Sequence, residues 1–502
     1  LPPVTEPPAT TPQKGSSGGT GGKVLLNALA IITGRGLSLV FSAAAAIILA
    51  RYLGTRLLGE YGAIYAYLSL YSWLASFGLE WMMMREISRR REEGANILVT
   101  GVVAGAAMAA MAALLALAVA PWAGYAGHFR LLLVFAAVDT LILVPLRLAG
   151  TVFQVDLKQW YSSGINVVRQ GLWIGVVGLL VVFQASLTGV ILARLGCSLV
   201  EVALLWGTAI HLKMLRGRWK LLPGEIRGYL AGALPIAFSA LALNLFHRID
   251  QVMLHTMAGD AVLGPYVAAV NITELFTTLP VALMAPMFPL LARAWREDKA
   301  GFERDTDMSF RLLMAIVFLL CPLVTLFAGP VVGLLYGVAF RASGPLLAVL
   351  IWSEAAVFFE VVLTNAIVAR DLQRFLPLAT MMGAAVNIAL NAWWIPRYGA
   401  MGSAWATNIS YTLAWGGLFL LFRETRPLTF CGLRSAARPF VLAMILMGIF
   451  LFTPVSVWWK AALAVPAYVA GLLLTGNLRA GEARQFGAIL GQLLAGIRSR
   501  AA

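Results

Sequence analysis

From residue 24 onward the chain is a succession of apolar runs separated by short polar breaks. Runs near 24–50, 62–84, 97–120, 129–150, 160–183 and 187–210 are followed by a polar break at 211–230. Further runs lie near 231–256, 262–290, 310–335, 344–369, 375–396, 400–422, 439–454 and 456–476. Each is long enough, or nearly so, for a hydrocarbon core about 30 Å thick, which a helix crosses in about 20 residues. The runs are continuous rather than alternating, so the pattern predicts helices and not the strands of a membrane barrel. The expected fold is an all-α polytopic membrane protein with about 14 transmembrane helices. Two six-helix lobes, 24–210 and 231–422, would be joined by a linker at 211–230. An extra helix pair would follow at 423–478, its two short runs able to form one re-entrant hairpin instead. Residues 1–23 are rich in Pro, Thr, Gly and Ser and are expected to be a disordered tail, not a signal peptide. Residues 479–502 carry Phe486, Ile489, Leu490, Leu493, Leu494 and Ile497 at helical spacing, the pattern of an interfacial amphipathic helix.

Composition narrows the function classes. The chain is 60% apolar and only 12% charged, against about 25% charged for an average soluble domain. A soluble enzyme is excluded. The three cysteines, Cys197, Cys321 and Cys431, lie far apart and suggest neither a disulfide framework nor a zinc site. No metal or cofactor motif stands out. The net charge of +15 invites a nucleic-acid reading, but the location of the charge argues against one. With the N-terminal tail placed inside, 28 of the 38 Lys and Arg fall in inside segments, 6 in outside segments and 4 within the runs. That bias sets the orientation, with both termini cytoplasmic, and assigns the charge to a face against anionic lipid.

The two halves resemble each other. Gly54, Gly59 and Tyr61 recur as Gly259, Gly264 and Tyr266, all at an offset of 205. Asp139 and Asp156-Leu157 recur as Glu354 and Asp371-Leu372 at an offset of 215. Six runs per half place both halves in the same orientation, which implies a pseudo-twofold axis along the membrane normal, the plan of alternating-access transporters.

Ten charged residues fall inside the runs: Arg35, Asp139, Arg169, Arg194, Glu201, Arg248, Asp250, Glu274, Glu354 and Glu360. At about 2.5–3.5 kcal/mol each at mid-helix, they must pair or line a wet cavity. Arg35, between Gly34 and Gly36, is either an anion contact or the partner of an acid such as Asp139. Arg194 and Glu201 share a helix face and are expected to pair through a water or a partner helix. Arg169 stands in the stripe Asn166, Arg169, Gln170 and is expected to face a cavity. So is the polar run Asn244, His247, Arg248, Asp250 and Gln251. Its histidine, like His255, is either a proton carrier or a satisfied structural residue. Asn271, Thr273 and Glu274 give another run a polar centre. Glu274 or Glu354 could exchange a proton or cation, or simply neutralise Arg248. The first-half runs hold three basic and two acidic groups, and the second-half runs one and four. An anion-attracting lobe would then face a cation- or proton-responsive one. Asp305-Thr306-Asp307 has the form of a glycosyltransferase metal motif, but it is expected to be a solvated charge run in a loop.

Ala50-Arg51-Tyr52-Leu53-Gly54, Leu58-Gly59-x-Tyr61-Gly62, Arg248-x-Asp250 and Leu263-Gly264-x-Tyr266 follow one another in order. They continue with Leu335-Tyr336-Gly337, Asn387-x-x-Leu390-Asn391 and Pro396-x-x-Gly399-x-x-Gly402. This series, covering roughly 24–422, resembles polysaccharide-biosynthesis (Wzx-type) flippases of the multidrug/oligosaccharidyl-lipid/polysaccharide exporter superfamily. The resemblance implies that the protein is not an enzyme. It implies alternating-access flipping of a polyprenyl-diphosphate-linked oligosaccharide from the inner to the outer leaflet of the cytoplasmic membrane, driven by an ion gradient or membrane potential. It assigns diphosphate contact to Arg35 and Arg248, with Arg169 and Arg194 as further candidates. Asp250, Glu274, Glu354 and Asp139 are coupling candidates. Expected partners are the lipid-linked oligosaccharide, membrane lipids, and a polysaccharide polymerase and glycosyltransferases. Three other readings stay open: a cation-coupled exporter of small drugs or metabolites, a lipid-II-type flippase, and a membrane glycosyltransferase. The first is at odds with an Arg and no acid in the first run, the last with short outer loops.

Overall fold

The computed structural model describes residues 17–125, 127–453 and 457–477, so most of the expected tail and the amphipathic stretch 479–502 lie outside the described residues. The apolar runs fold as helices. The first lobe holds α1 (Ser17–Ser69), α2 (Ser72–Ser76), α3 (Leu79–Arg89), α4 (Gly94–Val119), α5 (Phe129–Ala137), α6 (Gly150–Val155), α7 (Gln159–Val182) and α8 (Leu187–His211). The second holds α9 (Pro223–Ala258), α10 (Asp260–Met284), α11 (Met287–Glu297), α12 (Lys299–Tyr336), α13 (Ser343–Leu350), α14 (Ser353–Ala369) and α15 (Phe375–Thr412). The extra pair is α16 (Arg426–Phe452) and α17 (Val457–Leu474).

Among the described residues eleven helices are long and apolar enough to cross a membrane. The chain is therefore a multi-pass membrane protein. Eleven is fewer than the fourteen apolar runs for a local reason. Gly54 in α1 (φ 68°, ψ −178°) and Gly399 in α15 (φ 54°, ψ −135°) each connect two runs by a kink instead of a loop, and α17 contributes only the shorter apolar stretch Leu463–Leu474 among the described residues. Helix ends also overrun the apolar runs. α9 starts at Pro223, not 231, because proline suits a first helical position and Glu225 to Tyr229 continue the helix. The linker that remains is pinned to the first lobe. The Arg218 and Lys220 amides donate to Asn96 Oδ1 at 3.1 and 3.0 Å, and the Leu222 amide donates to Thr100 Oγ1 at 3.0 Å. The Asp305-Thr306-Asp307 segment, expected in a loop, lies in the first turns of α12.

The halves meet about their own repeat. Gly54 and Gly259, 205 apart, both hold a positive φ with extended ψ (68°, −178° and 81°, 170°), a region open to glycine almost alone. Each opens a segment carrying the second repeated glycine. A Cβ on Gly59 would strike the Asp260 carbonyl, and one on Gly264 would strike the Thr55 carbonyl. Thr55 and Asp260 are themselves 205 apart, so the contact is isologous: the same patch on each lobe touches its counterpart.

This contact lies at the arginine-poor end. There a single apolar core runs through both lobes, from Tyr67 and Tyr125 to Tyr266 and Tyr336. Toward the arginine-rich end the core divides, with Met83, Ile97 and Phe153 in one part and Phe310, Leu363 and Phe419 in the other. α2, α3 and α9 close one flank of the resulting cleft. Trp73 stacks on Phe238, and Arg90 forms a bidentate pair with Glu225 at 2.6 and 2.8 Å.

Candidate functional site

A cavity of about 600 Å³ lies between the lobes, walled by α1, α7 and α8 on one side and by α9 and α10 on the other. A volume of that size suits a ligand headgroup. The stretch joining α5 to α6 is irregular, with a π turn at Val138–Ile142 and a tight turn at Pro145–Ala149. Such breaks rotate side chains out of helical register. Here they deliver Asp139 and Arg147 to the cavity wall.

The first-lobe charges form an alternating chain. Arg194 Nε lies 3.1 Å from Asp139, whose other oxygen lies 3.6 Å from Arg147. Arg147 reaches Glu201 at 3.3 Å, and Arg169 reaches the same carboxylate at 3.5 Å. Three guanidiniums and two carboxylates leave this wall one positive charge in excess. Arg194 also donates to the Tyr61 hydroxyl and lies 4.0 Å from the centre of the Tyr65 ring. From the second lobe Arg248 faces them, 3.0 Å from Glu274.

Pairing spares each buried charge the several kcal/mol that isolation would cost. It does not hide the cations. The Asp139 side chain is 5% exposed, while those of Arg194 and Arg248 are each 36% exposed. Asp139 braces Arg194 from behind, and both guanidiniums face open space. An adjoining pocket of about 570 Å³ shares Arg147 and Glu201 and extends to Arg35, Glu80 and Gln159 beside the arginine-rich loops. Together the two form a path from that face to the centre.

The structure gathers Arg169, Arg194, Arg248, Asp139 and Glu274 in one cavity. Arg35 stands in the adjoining pocket, and its alternative pair with Asp139 is not formed, since Arg194 and Arg147 take that acid. The expected pairing of Arg194 with Glu201 is likewise replaced by these partners. Asp250 and Glu354 sit elsewhere. Asp250 is two residues from Arg248, so it points to another helix face. It accepts from the Tyr266 hydroxyl at 2.5 Å and from the Gln251 amide at 2.8 Å. Tyr266 in turn lies 3.3 Å from Thr407 Oγ1. On α15, Asn391 donates to Asn387 at 2.8 Å, and Asn387 donates to Ser410 at 3.0 Å. This polar cluster is buried throughout. Among the described residues Asn391 Oδ1 in it has no hydrogen-bond partner. Glu354 is buried, with Thr277 Oγ1 at 3.3 Å from both its oxygens.

Arg147 is not singled out by the sequence because it stands at the very end of the run 129–150, where a basic residue reads as an inside flank. Pro145 two residues earlier, in a run that also holds Asp139, was the available signal of a broken helix. Tyr61 is legible in the sequence as part of the repeat but not as the brace of a cation. Among the described residues no group of three or more His, Cys, Asp or Glu side chains could hold a metal ion.

A family model described as polysaccharide biosynthesis protein matches residues 48–345. The probable low-salt glycan biosynthesis flippase Agl15 of Haloferax volcanii is 20% identical over 368 residues, which are 72% of this chain and 76% of that protein. The fold is similar to that of the lipid II flippase MurJ in an inward closed conformation. The TM-score is 0.69 at 11% identity, over 94% of this chain and 99% of the other. It is also similar to an inward-facing multidrug resistance MATE family transporter of the MOP superfamily. There the TM-score is 0.59 at 15% identity, over 83% of this chain and 96% of the other.

Proposed function

The chain belongs to the polysaccharide biosynthesis protein family, and from that membership we propose that it is a flippase. It moves a polyprenyl-diphosphate-linked oligosaccharide from the inner to the outer leaflet of the cytoplasmic membrane by alternating access. The observation that carries this reading is the central cavity. Arg194 and Arg248 face it from opposite lobes, each held by a carboxylate and each open to its interior. A diphosphate entering between them would accept charge-assisted hydrogen bonds from both, the stronger kind at such sites. Arg35 and Arg147 line the approach. Tyr61, Tyr65 and Trp173 on the same walls offer aromatic faces for the sugar.

The role needs no catalytic residue. Both termini would lie on the cytoplasmic, arginine-rich side, and the polymerase and glycosyltransferases of the same process would be its partners. For coupling, the buried cluster around Asp250 supports a cation or proton site. It offers a carboxylate near Asn391 Oδ1, which has no hydrogen-bond partner among the described residues, and oxygen donors of this kind suit hard cations. Glu274, already paired with Arg248, fits a neutralising role better. The same is true of Asp139, held by two arginines. Glu354 remains a further coupling candidate.

A cation-coupled exporter on the same fold is the competing reading, and a cavity wall with excess positive charge disfavours its substrate. The test is purified protein in vesicles supplied with labelled lipid-linked sugar or with a cationic dye. Movement of the sugar lipid alone supports the proposal, and movement of the dye alone refutes it. Replacement of a lipid II flippase in cells, without movement of the oligosaccharide lipid, would assign the narrower substrate instead.

A further inference from the structure

A second built cavity, of about 530 Å³, lies away from the central one. It sits at the arginine-rich end, between the first turns of α12 and α16 and the turn after α17. Arg311, Arg434 and Arg438 line it with Glu303 and Asp307, which leaves one positive charge in excess. Asp307 is already engaged by Arg311 at 3.0 Å and by the Ser435 hydroxyl at 2.7 Å. The donors on the opposite side are not used up. Arg438 gives one N–H to the Thr475 carbonyl at 3.1 Å and keeps the rest of its five. Among the described residues Arg434 has no ion-pair or hydrogen-bond partner. Asn477 is 2% exposed, and among the described residues its Nδ2 has no acceptor. A buried amide donor without an acceptor, beside free guanidinium N–H groups, calls for an anion.

The surroundings identify its source. Val441 and Ile445 follow Arg434 at helical spacing on α16 and are more than half exposed, and Phe430, equally exposed, lies one turn to its other side. Arg434 therefore heads an apolar stripe on a membrane-spanning helix, the arrangement that suits a lipid with its headgroup at the water boundary. We propose that this cavity binds the phosphodiester headgroup of a membrane phospholipid, with the acyl chain along that stripe. The cavity shares no lining residue with the central one, so the site is separate from the transport path. It does not rest on the flippase reading.

The test uses the full chain purified in detergent. Short-chain phosphatidylglycerol, the matching diacylglycerol and inorganic phosphate are added separately, and retention by native mass spectrometry and thermal stabilisation are measured. Phosphatidylglycerol is expected to be retained and stabilising, with diacylglycerol inert. In R434Q/R438Q its retention falls by about tenfold or more, the scale of lost charge-assisted hydrogen bonds. The exposed control R227Q, on α9, leaves it unchanged. Equal retention by R434Q/R438Q, or an equal loss in R227Q, overturns the site. Stabilisation by inorganic phosphate equal to that by the lipid overturns the lipid assignment.

Discussion

Arg194 and Arg35 carry the same charge and are held in opposite ways, so their alanine variants should fail differently. Arg194→Ala leaves the buried Asp139 with only Arg147, 3.6 Å away. Removing one partner of a buried pair costs about 3 kcal/mol, so this variant should melt at a clearly lower temperature when purified. Arg35 is exposed in its pocket, and truncating such a side chain shifts stability by about 0.5 kcal/mol at most. Arg35→Ala should therefore insert and melt normally. It should nevertheless flip its lipid roughly tenfold to a hundredfold more slowly, the loss expected for hydrogen bonds to a charged group. Arg248→Ala should behave likewise, since Glu274, left behind, is 47% exposed. Full complementation of a flippase-null cell by both variants would end the diphosphate assignment. The sequence disclosed that these cations were present, because charge in an apolar run is costly enough to demand a reason. It could not disclose their partners. Pairing of Arg194 with Asp139 rather than Glu201 depends on how a π turn rotates one carboxylate, and nothing in residue spacing encodes that.

At the level of elements, the contact between the two repeated segments gives a test that symmetry makes stringent. Gly59 and Gly264 each lie against a carbonyl of the opposite lobe, so no side chain fits while the arginine-poor end stays closed. Gly59→Val and Gly264→Val should each disfavour this state by about 1–3 kcal/mol, the usual cost of overpacking. At 1.4 kcal/mol per decade, that shifts the population toward the state open at the arginine-poor end by about tenfold. The readout is labelling by a membrane-impermeant thiol reagent, added from the arginine-poor side, of a cysteine at Ser42. That residue lines the central cavity, and the background should lack Cys197, Cys321 and Cys431. Both variants should raise labelling to a similar extent, because each removes the same contact seen from one lobe. Strong labelling in one variant and none in the other would mean that the two glycines are not equivalent. The repeat itself was legible from the offset of 205. That its two copies touch each other was not, since a one-dimensional pattern carries no information about which equivalent segments face across an axis.

Over the whole molecule the symmetry of backbone stands against an asymmetry of charge. The first-lobe wall ends with an excess cation, whereas the second lobe buries Asp250 and Glu354 off the cavity. The repeated tyrosines mark the difference: Tyr61 accepts a hydrogen bond from Arg194, and Tyr266 donates one to Asp250. If the cavity arginines grip the anion and the buried acids of the second lobe sense the ion gradient, binding and coupling can be separated by mutation. Asp250→Asn keeps hydrogen-bonding capacity toward Tyr266 but removes the charge that a cation or proton would neutralise. In vesicles this variant should bind a labelled polyprenyl-diphosphate sugar normally and exchange it between leaflets without a gradient, yet gain nothing when an ion gradient is imposed. Arg248→Ala should lose exchange with and without the gradient, because its defect lies in the grip itself. A ligand alters a conformational equilibrium only through a difference in affinity between the two states. An Asp250→Asn protein that still accelerated with the gradient would therefore place the sensing group elsewhere, with Glu354 next to be changed.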